Sequence, residues 1–320
     1  MPPAVGHRGR DALAPFFIMK TLLPQPGVAR VHVEPELNLD ALTRGRRFPA
    51  VPIDLDGASV DAYLEVTGER HPLYGADNRR WVPPLYPTQV RFIKHSLGGR
   101  WPSGTIQVDQ QLAAYRPLHQ GEILTLDTVV SDTEIQADRR RFELMSTLRD
   151  EEHRIVSIQR STALYLDPAT TAERRSRPSA PPPSPDSGAS RLSDRYSLER
   201  LRAFGRVAGA NDPIHIDPGF AAHSPQGGNI VQGRLVLALI SRLMVERFGV
   251  RWIEAGGLEV RFRRPVRVDD LVTAWLDGSP DTSNRYRLGC HDSCGQLVFS
   301  GLAQAGSPGP GASGLSTTQR

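Results

Sequence analysis

The sequence has no apolar run long enough to cross a bilayer. Its most apolar stretch, Leu235 to Met244, is interrupted by Ser241 and Arg242 and falls well short of the ~20 residues that a spanning helix needs. Cysteine is scarce: Cys290 and Cys294 are the 2 present, too few to frame a disulfide scaffold. No second CxxxC or HxxxH motif supplies matching ligands, so no metal site is expected and both are read as reduced thiols near a strand turn. Charge of one sign does not dominate. Lys and Arg number 39 against 35 Asp and Glu, giving +4, and they are spread along the chain, which excludes a basic nucleic-acid-binding tail. The mildly basic balance suits either a phosphate-bearing or acidic partner or simply a solvated Arg-rich surface. The N-terminus lacks the apolar core of a leader, since Pro15 to Met19 is too brief, and Met19 is an alternative start. A cytoplasmic location is the default expectation.

What is present is a repeat. The segment Tyr63-Leu-Glu-Val-Thr-Gly-Glu-Arg-His-Pro-Leu-Tyr74 shares a frame with Phe204-Gly-Arg-Val-Ala-Gly-Ala-Asn-Asp-Pro-Ile-His215. Each copy is followed by a second marker: Tyr115-Arg-Pro-Leu118 before Glu122-Ile-Leu124, and Arg263-Arg-Pro-Val266 before Asp270-Leu-Val272. Two markers in the same order at nearly constant spacing indicate a tandem duplication. Residues 167–192, rich in Pro, Ser and Ala, read as a linker, and residues 305–320 as a disordered tail. This gives an N-terminal extension over 1–49, one half over 50–166 and another over 193–304.

Within each half a helical period gives way to alternation. Residues 196–209 carry apolar side chains at helical spacing, and 230–248 read as a more buried helix. Strands are expected at 257–262, 271–275, 285–289 and 296–300, and in the first half at 105–114, 123–130, 141–148 and 155–165. A helix followed by an antiparallel meander defines an α+β unit whose sheet wraps a central helix.

The motif Gly209-x-x-x-Pro213-Ile-His215-x-Asp217-Pro-x-x-Ala221 resembles the hydratase signature of MaoC-like enzymes. Gly228-Asn-Ile-Val-Gln-Gly233 is similar to the segment that opens that family's central helix, and Arg263-Arg-Pro-Val266 to its strand entry. The resemblance covers residues 196–303 well and 50–166 more loosely. It implies a tandem (double) hotdog fold and reversible addition of water across enoyl thioesters of coenzyme A or acyl carrier protein, with no cofactor and the 3R hydroxyacyl product. It also implies a monomeric pseudo-dimer or a homodimer, and a setting in fatty acid or polyketide metabolism. The family's catalytic histidine falls on His215. An oxyanion or substrate-binding role falls on Gly233, Gln232 and Asn211, Gln232 standing where the family commonly has histidine.

One position departs from the pattern. The family's catalytic aspartate falls on Ala210, and its asparagine on Asp212. Asp212 is a candidate to have taken over the carboxylate role, and Glu69, at the equivalent position of the first half, could face the same cleft. Otherwise the chain is a diverged thioester-binding or tailoring protein that activates no water. Asp217 is read as a helix cap. A thioesterase would need a carboxylate on the central helix, and Glu246 lies too near that helix's end. The first half, with Tyr74 where His215 stands, is expected to be non-catalytic and to form an acyl tunnel, with Tyr86, Phe92 and Ile93 as tunnel or plain core residues.

Overall fold

The computed structural model describes residues 35–75, 80–136, 139–166 and 183–306. The readings of 1–34, of 167–182 and of 307–320 therefore lie outside the described residues. Ten strands form one antiparallel sheet. The first half supplies β1 (Val51–Asp54), β5 (Ile123–Gln136), β6 (Arg139–Arg149), β7 (Ile155–Leu166) and β3 (Thr105–Ala114). The second supplies β9 (Gly257–Phe262), β12 (Leu297–Gln304), β11 (Tyr286–His291), β10 (Leu271–Leu276) and β8 (Ser190–Arg195). In the order β1-β5-β6-β7-β3-β9-β12-β11-β10-β8 the second five mirror the first five about the β3–β9 seam. The duplication is thus a pseudo-twofold sheet.

Helix α1 (Gly57–Thr67) and its counterpart α4 (Leu198–Ala208) are bounded alike. Asp56 accepts from the Ser59 amide and Ser197 from that of Arg200, and Gly68 and Gly209 close the two helices in the left-handed region. Each then leads into one short turn of helix, α2 (Pro72–Gly75) and α5 (Pro213–Ile216). Gly209 cannot be replaced cheaply. Its φ is +71° and a Cβ would come within 2.8–3.0 Å of Arg91.

The central helices differ. α7 (Gly233–Phe248) runs 16 residues with ten of them buried, which is why it reads as apolar nearly all round. Its first-half counterpart, α3 (Val90–Leu97), has only eight residues. Pro83, Pro84 and Pro87 occupy the stretch before it, and proline neither donates an amide nor fits a helix interior. Each half thus has its helix, long in the second and cut to eight residues in the first. Tyr86 and Phe92 belong to the main apolar core, and Ile93 to a smaller cluster with Leu42, Val130 and Phe142. All three are buried.

Two boundaries shift. β8 begins at Ser190, inside the stretch read as linker, and pairs with β10 from Leu276 to Leu271. Leu37, Leu39 and Phe48 pack on the smaller cluster, so the segment before residue 50 helps to build the first half. Cys290 is buried in β11 and Cys294 is exposed in the following turn; both are free. Burial raises the Cys290 thiol pKa far above the ordinary range. Among the described residues no helix is long and apolar enough to cross a membrane and no cluster could hold a metal ion.

Candidate active site

The candidate site is built by three tethered pieces of the second half. The strand-entry motif comes first: the Val231 amide donates to the Val266 carbonyl (2.8 Å), the Val268 amide to that of Asn229 (3.2 Å), and Ile230 bridges to Arg267. This fixes residues 229–231 as they enter α7. The 213–216 turn is then tied to them, because Asn229 Nδ2 and the Ile230 amide both donate to the Ile214 carbonyl.

On that frame sits His215. Its Nδ1 lies 2.8 Å from the Ile230 carbonyl oxygen, which can only accept, so Nδ1 carries the proton and Nε2 presents a lone pair. Burial lowers the imidazole pKa below its ordinary 6.5; the bond to Ile230 and the nearby Asp212 charge oppose that shift. The ring is therefore neutral at pH 7 and able to accept a proton. Asp212 precedes α5 yet its side chain makes no capping bond. Its half-buried carboxylate is left with no hydrogen bond among the described residues, close enough to His215 to favour the imidazolium. By contrast Asp217 Oδ1 accepts from the Gly219 and Phe220 amides and caps α6 (Pro218–Ala222).

Gly233 opens α7. The first intrahelical bonds come from the Leu235 and Val236 amides to the Gln232 carbonyl, so the Gly233 and Arg234 amides stand at the positive end of the helix dipole. A Cβ at Gly233 would press on the Phe262 ring at 3.1 Å. Gln232 is buried, and its Nε2 donates to the Leu201 and Ala210 carbonyls at 2.9 and 3.4 Å. That amide clamps α4 and the 209–215 loop to the start of α7, while its Oε1 has no partner. Asn211 is exposed and rests its oxygen at Gly205 of α4, where a Cβ would come within 2.8 Å of it. Gln232 and Asn211 thus make packing contacts here, and the Gly233 and Arg234 amides are left as the donors at the head of α7. The Ile230 carbonyl and Arg234 escaped the sequence reading; an arginine directly after Gly233 at the head of an apolar run was the available signal.

The structure sets Glu69 apart from this group. It faces Ser241, Arg242 and Glu246 on α7 and Tyr74 of its own half. Ser241 lies about 12 Å along the helix from Gly233 at ~1.5 Å per residue. Glu69 is set away from His215, because the pseudo-twofold sends its loop to the far half of α7. A separate cleft of about 430 Å³ opens there, lined by Glu69, Tyr74, Arg70, His71 and Asp61. Neither carboxyl oxygen of Glu69 nor the Tyr74 hydroxyl has a hydrogen-bond partner. Burial pushes the Glu69 carboxyl from its ordinary 4.5 up to about 7, against the pull of the Arg242 charge. An acid with a raised native pKa holds its proton better folded than unfolded, so stability falls as pH rises from about 4.5 to about 7 and stays lower above. Glu69→Gln removes that loss. At about 1.4 kcal/mol per unit, its stability relative to wild type is expected to improve on the order of 3 kcal/mol between pH 4.5 and 8. Urea unfolding of both proteins across this range is the check, and parallel curves would refute it.

The first half repeats the scaffold with prolines at the equivalent positions. β2 (Trp81–Val82) pairs with β4 (Leu118–His119) as Val231 pairs with Val266, which sets Pro83 and Pro84 where Gln232 and Gly233 stand. Neither proline has an amide hydrogen to offer an oxyanion.

A duplicated α+β sheet, with a half-buried, oriented imidazole beside a helix N-terminus in its second half, defines a two-hotdog protein. Comparison with known proteins agrees. Residues 186–284 match the MaoC like domain. A 3-hydroxybutyryl-CoA dehydratase of Methylorubrum extorquens is 31% identical over 119 residues, which are 35% of this chain and 73% of that protein. An (R)-specific enoyl-CoA hydratase of Aeromonas caviae is 34% identical over 87 residues, 27% of this chain; the match spans 65% of the relative's length. HtdX of Mycobacterium tuberculosis superimposes with a TM-score of 0.63 at 20% identity, over 81% of this chain and 99% of that one. A MaoC-like dehydratase of Phytophthora capsici does so with 0.65 at 18%, over 85% and 98%. The chain belongs to the MaoC-like dehydratase family and has its double-hotdog fold.

Proposed function

We propose that the chain reversibly hydrates trans-2-enoyl thioesters to 3-hydroxyacyl thioesters, using one centre in its second half. The observation that carries this reading is the 2.8 Å bond from His215 Nδ1–H to the Ile230 carbonyl, which leaves Nε2 as a base beside the α7 amides. In the dehydration direction Nε2 removes the α-proton and the electron pair moves onto the thioester carbonyl. The amides of Gly233 and Arg234, with the helix dipole behind them, stabilise the oxyanion. The enolate collapses, the β-hydroxyl leaves with the proton returned by the imidazolium, and Asp212 holds the water so formed. Hydration runs through the same steps in reverse. The named activities of the relatives, an enoyl-CoA hydratase and a 3-hydroxybutyryl-CoA dehydratase, support the reaction class. The 3R product, the carrier (coenzyme A or acyl carrier protein) and a cytoplasmic setting belong to the same proposal. So does a non-catalytic first half, supported by Tyr74 in the histidine position and Pro83-Pro84 at the oxyanion position.

Ala210 favours a second reading, in which the centre binds thioesters or serves a tailoring step without activating water. Crotonyl-coenzyme A separates the two. Loss of the enoyl absorbance on mixing with purified protein is expected; saturable binding without turnover would establish the second reading instead.

A further inference from the structure

Buried charges in proteins are almost always paired, since an isolated ion loses its hydration without recompense. Arg234, half-buried with one guanidinium nitrogen enclosed, tests that rule at a telling place. It is the second residue of α7, immediately after Gly233, and its side chain leaves the helix towards the first half. There its Nε donates to Gln107 Oε1 of β3 at 3.2 Å, and Tyr63 of α1 is the other polar group that acts on it. Nη1 is buried with no hydrogen-bond partner, and no carboxylate pairs with this arginine among the described residues. Burial draws its pKa down from 12.5 to about 10, so it remains cationic at pH 7.

The surroundings carry the same polarity. Gln107 Nε2 donates to Gln110 Oε1 at 2.7 Å, forming an amide relay from Arg234 along the inner face of β3. Tyr63 meets the Tyr86 ring edge-on at 5.1 Å, and beside Tyr86 lie Gln89 and Gln159, whose amides donate to the Tyr86 and Pro87 carbonyls. Gln89 and Gln159 are 1% and 4% exposed, and the Oε1 of each is unpartnered. Because Arg234 follows Gly233 directly, the acyl group of a thioester held over the Gly233 amide would begin next to it. A plain hydrocarbon placed there would leave the guanidinium desolvated and unanswered. A carboxylate would meet it in a charge-assisted, bidentate-capable pair.

We infer that Arg234 is a specificity residue that pairs with a carboxylate on the acyl portion, so that the preferred substrates are short acidic (dicarboxylic-type) acyl thioesters rather than fatty-acyl ones. This rests on the hydratase reading for its site but not for its test. Glutaryl- and pentanoyl-coenzyme A share the carrier and the acyl length and differ in the terminal carboxylate. Calorimetric titration of wild type is expected to give about 10–100-fold tighter binding of the glutaryl thioester, the range of a charge-assisted bond. In Arg234→Met the preference should vanish, and in Arg234→Lys it should survive in part. Arg234→Met gives up the Gln107 bond together with a half-buried cation that has no carboxylate partner among the described residues, so its melting temperature should change little. If it fails to fold, wild type against Arg234→Lys still decides the matter. Equal or weaker binding of glutaryl-coenzyme A by wild type overturns the inference, and if crotonyl-coenzyme A is nonetheless hydrated the proposed reaction survives it. A glutaryl preference with no hydration of any enoyl thioester would do the reverse: Arg234 keeps its role and the hydratase reading falls.

Discussion

Replacing His215 with alanine is expected to lower kcat/KM for hydration of crotonyl-coenzyme A by about 10²–10⁴-fold, the usual contribution of a positioned acid–base group. The reason is geometric. The free nitrogen of the ring is set by a bond on its other side, Nδ1 to the Ile230 carbonyl, while Asn229 and Ile230 hold the 213–216 turn in register with α7. Removing the ring takes away the proton acceptor and leaves the α7 amides untouched, so affinity for a saturated thioester should change little. Because burial holds the imidazole pKa below 6.5, the wild-type rate should stay flat through neutrality and fall only on the acid side of that value. A rate profile with its acidic limb above pH 6.5, or an alanine variant with near wild-type turnover, would remove His215 from the mechanism.

Asp212→Asn is expected to cost about 10²–10³-fold in kcat with little change in the binding of a saturated analogue. Asp212 is a carboxylate spared from capping: α5 starts without its side chain, whereas the neighbouring Asp217 spends its oxygen on α6. Asparagine keeps the volume and loses the charge that draws water and steadies the imidazolium. The partner experiment is Ala210→Asp. Ala210 is 3% exposed and its carbonyl receives the Gln232 amide, so a side chain there enters a closed, clamped corner. If Asp212 has taken over the acid's role, Ala210→Asp should add nothing and destabilise the fold. If Ala210→Asp restores or raises turnover while Asp212→Asn is silent, the carboxylate has been assigned to the wrong residue.

Much of this architecture is legible in the residues because the repeat frames repeat the physics. β3 shows its alternation from Thr105 to Ala114 and occupies that range. β5 runs on to Gln136 past the expected end, since Ser131, Asp132 and Thr133 are polar on both faces and the pattern that reveals a half-buried strand is lost there. β8 was hidden for a related reason: Ser-Arg-Leu-Ser-Asp-Arg pairs at a solvated edge and buries little. α7 begins at Gly233 rather than Ile230 because Ile230 and Val231 are claimed by Arg267 and Val266, a long-range pairing with no local trace. At the site, the position of His215 was readable and its tautomer was not. Glu69 shows the limit most clearly. Alignment of the halves identified its counterpart, but which end of α7 it meets depends on how two loops cross a pseudo-twofold axis.

The β3–β9 seam joins the halves through five register pairs, Asp109–Arg261 to Ala113–Gly257. Opening the chain between residues 166 and 183 would leave that seam intact, whereas pulling the halves apart would bare two central strands as sticky edges. The protein is therefore divisible as a polymer but not as a solid. Two fragments made separately should recover one body by strand complementation, and neither should persist alone in dilute solution.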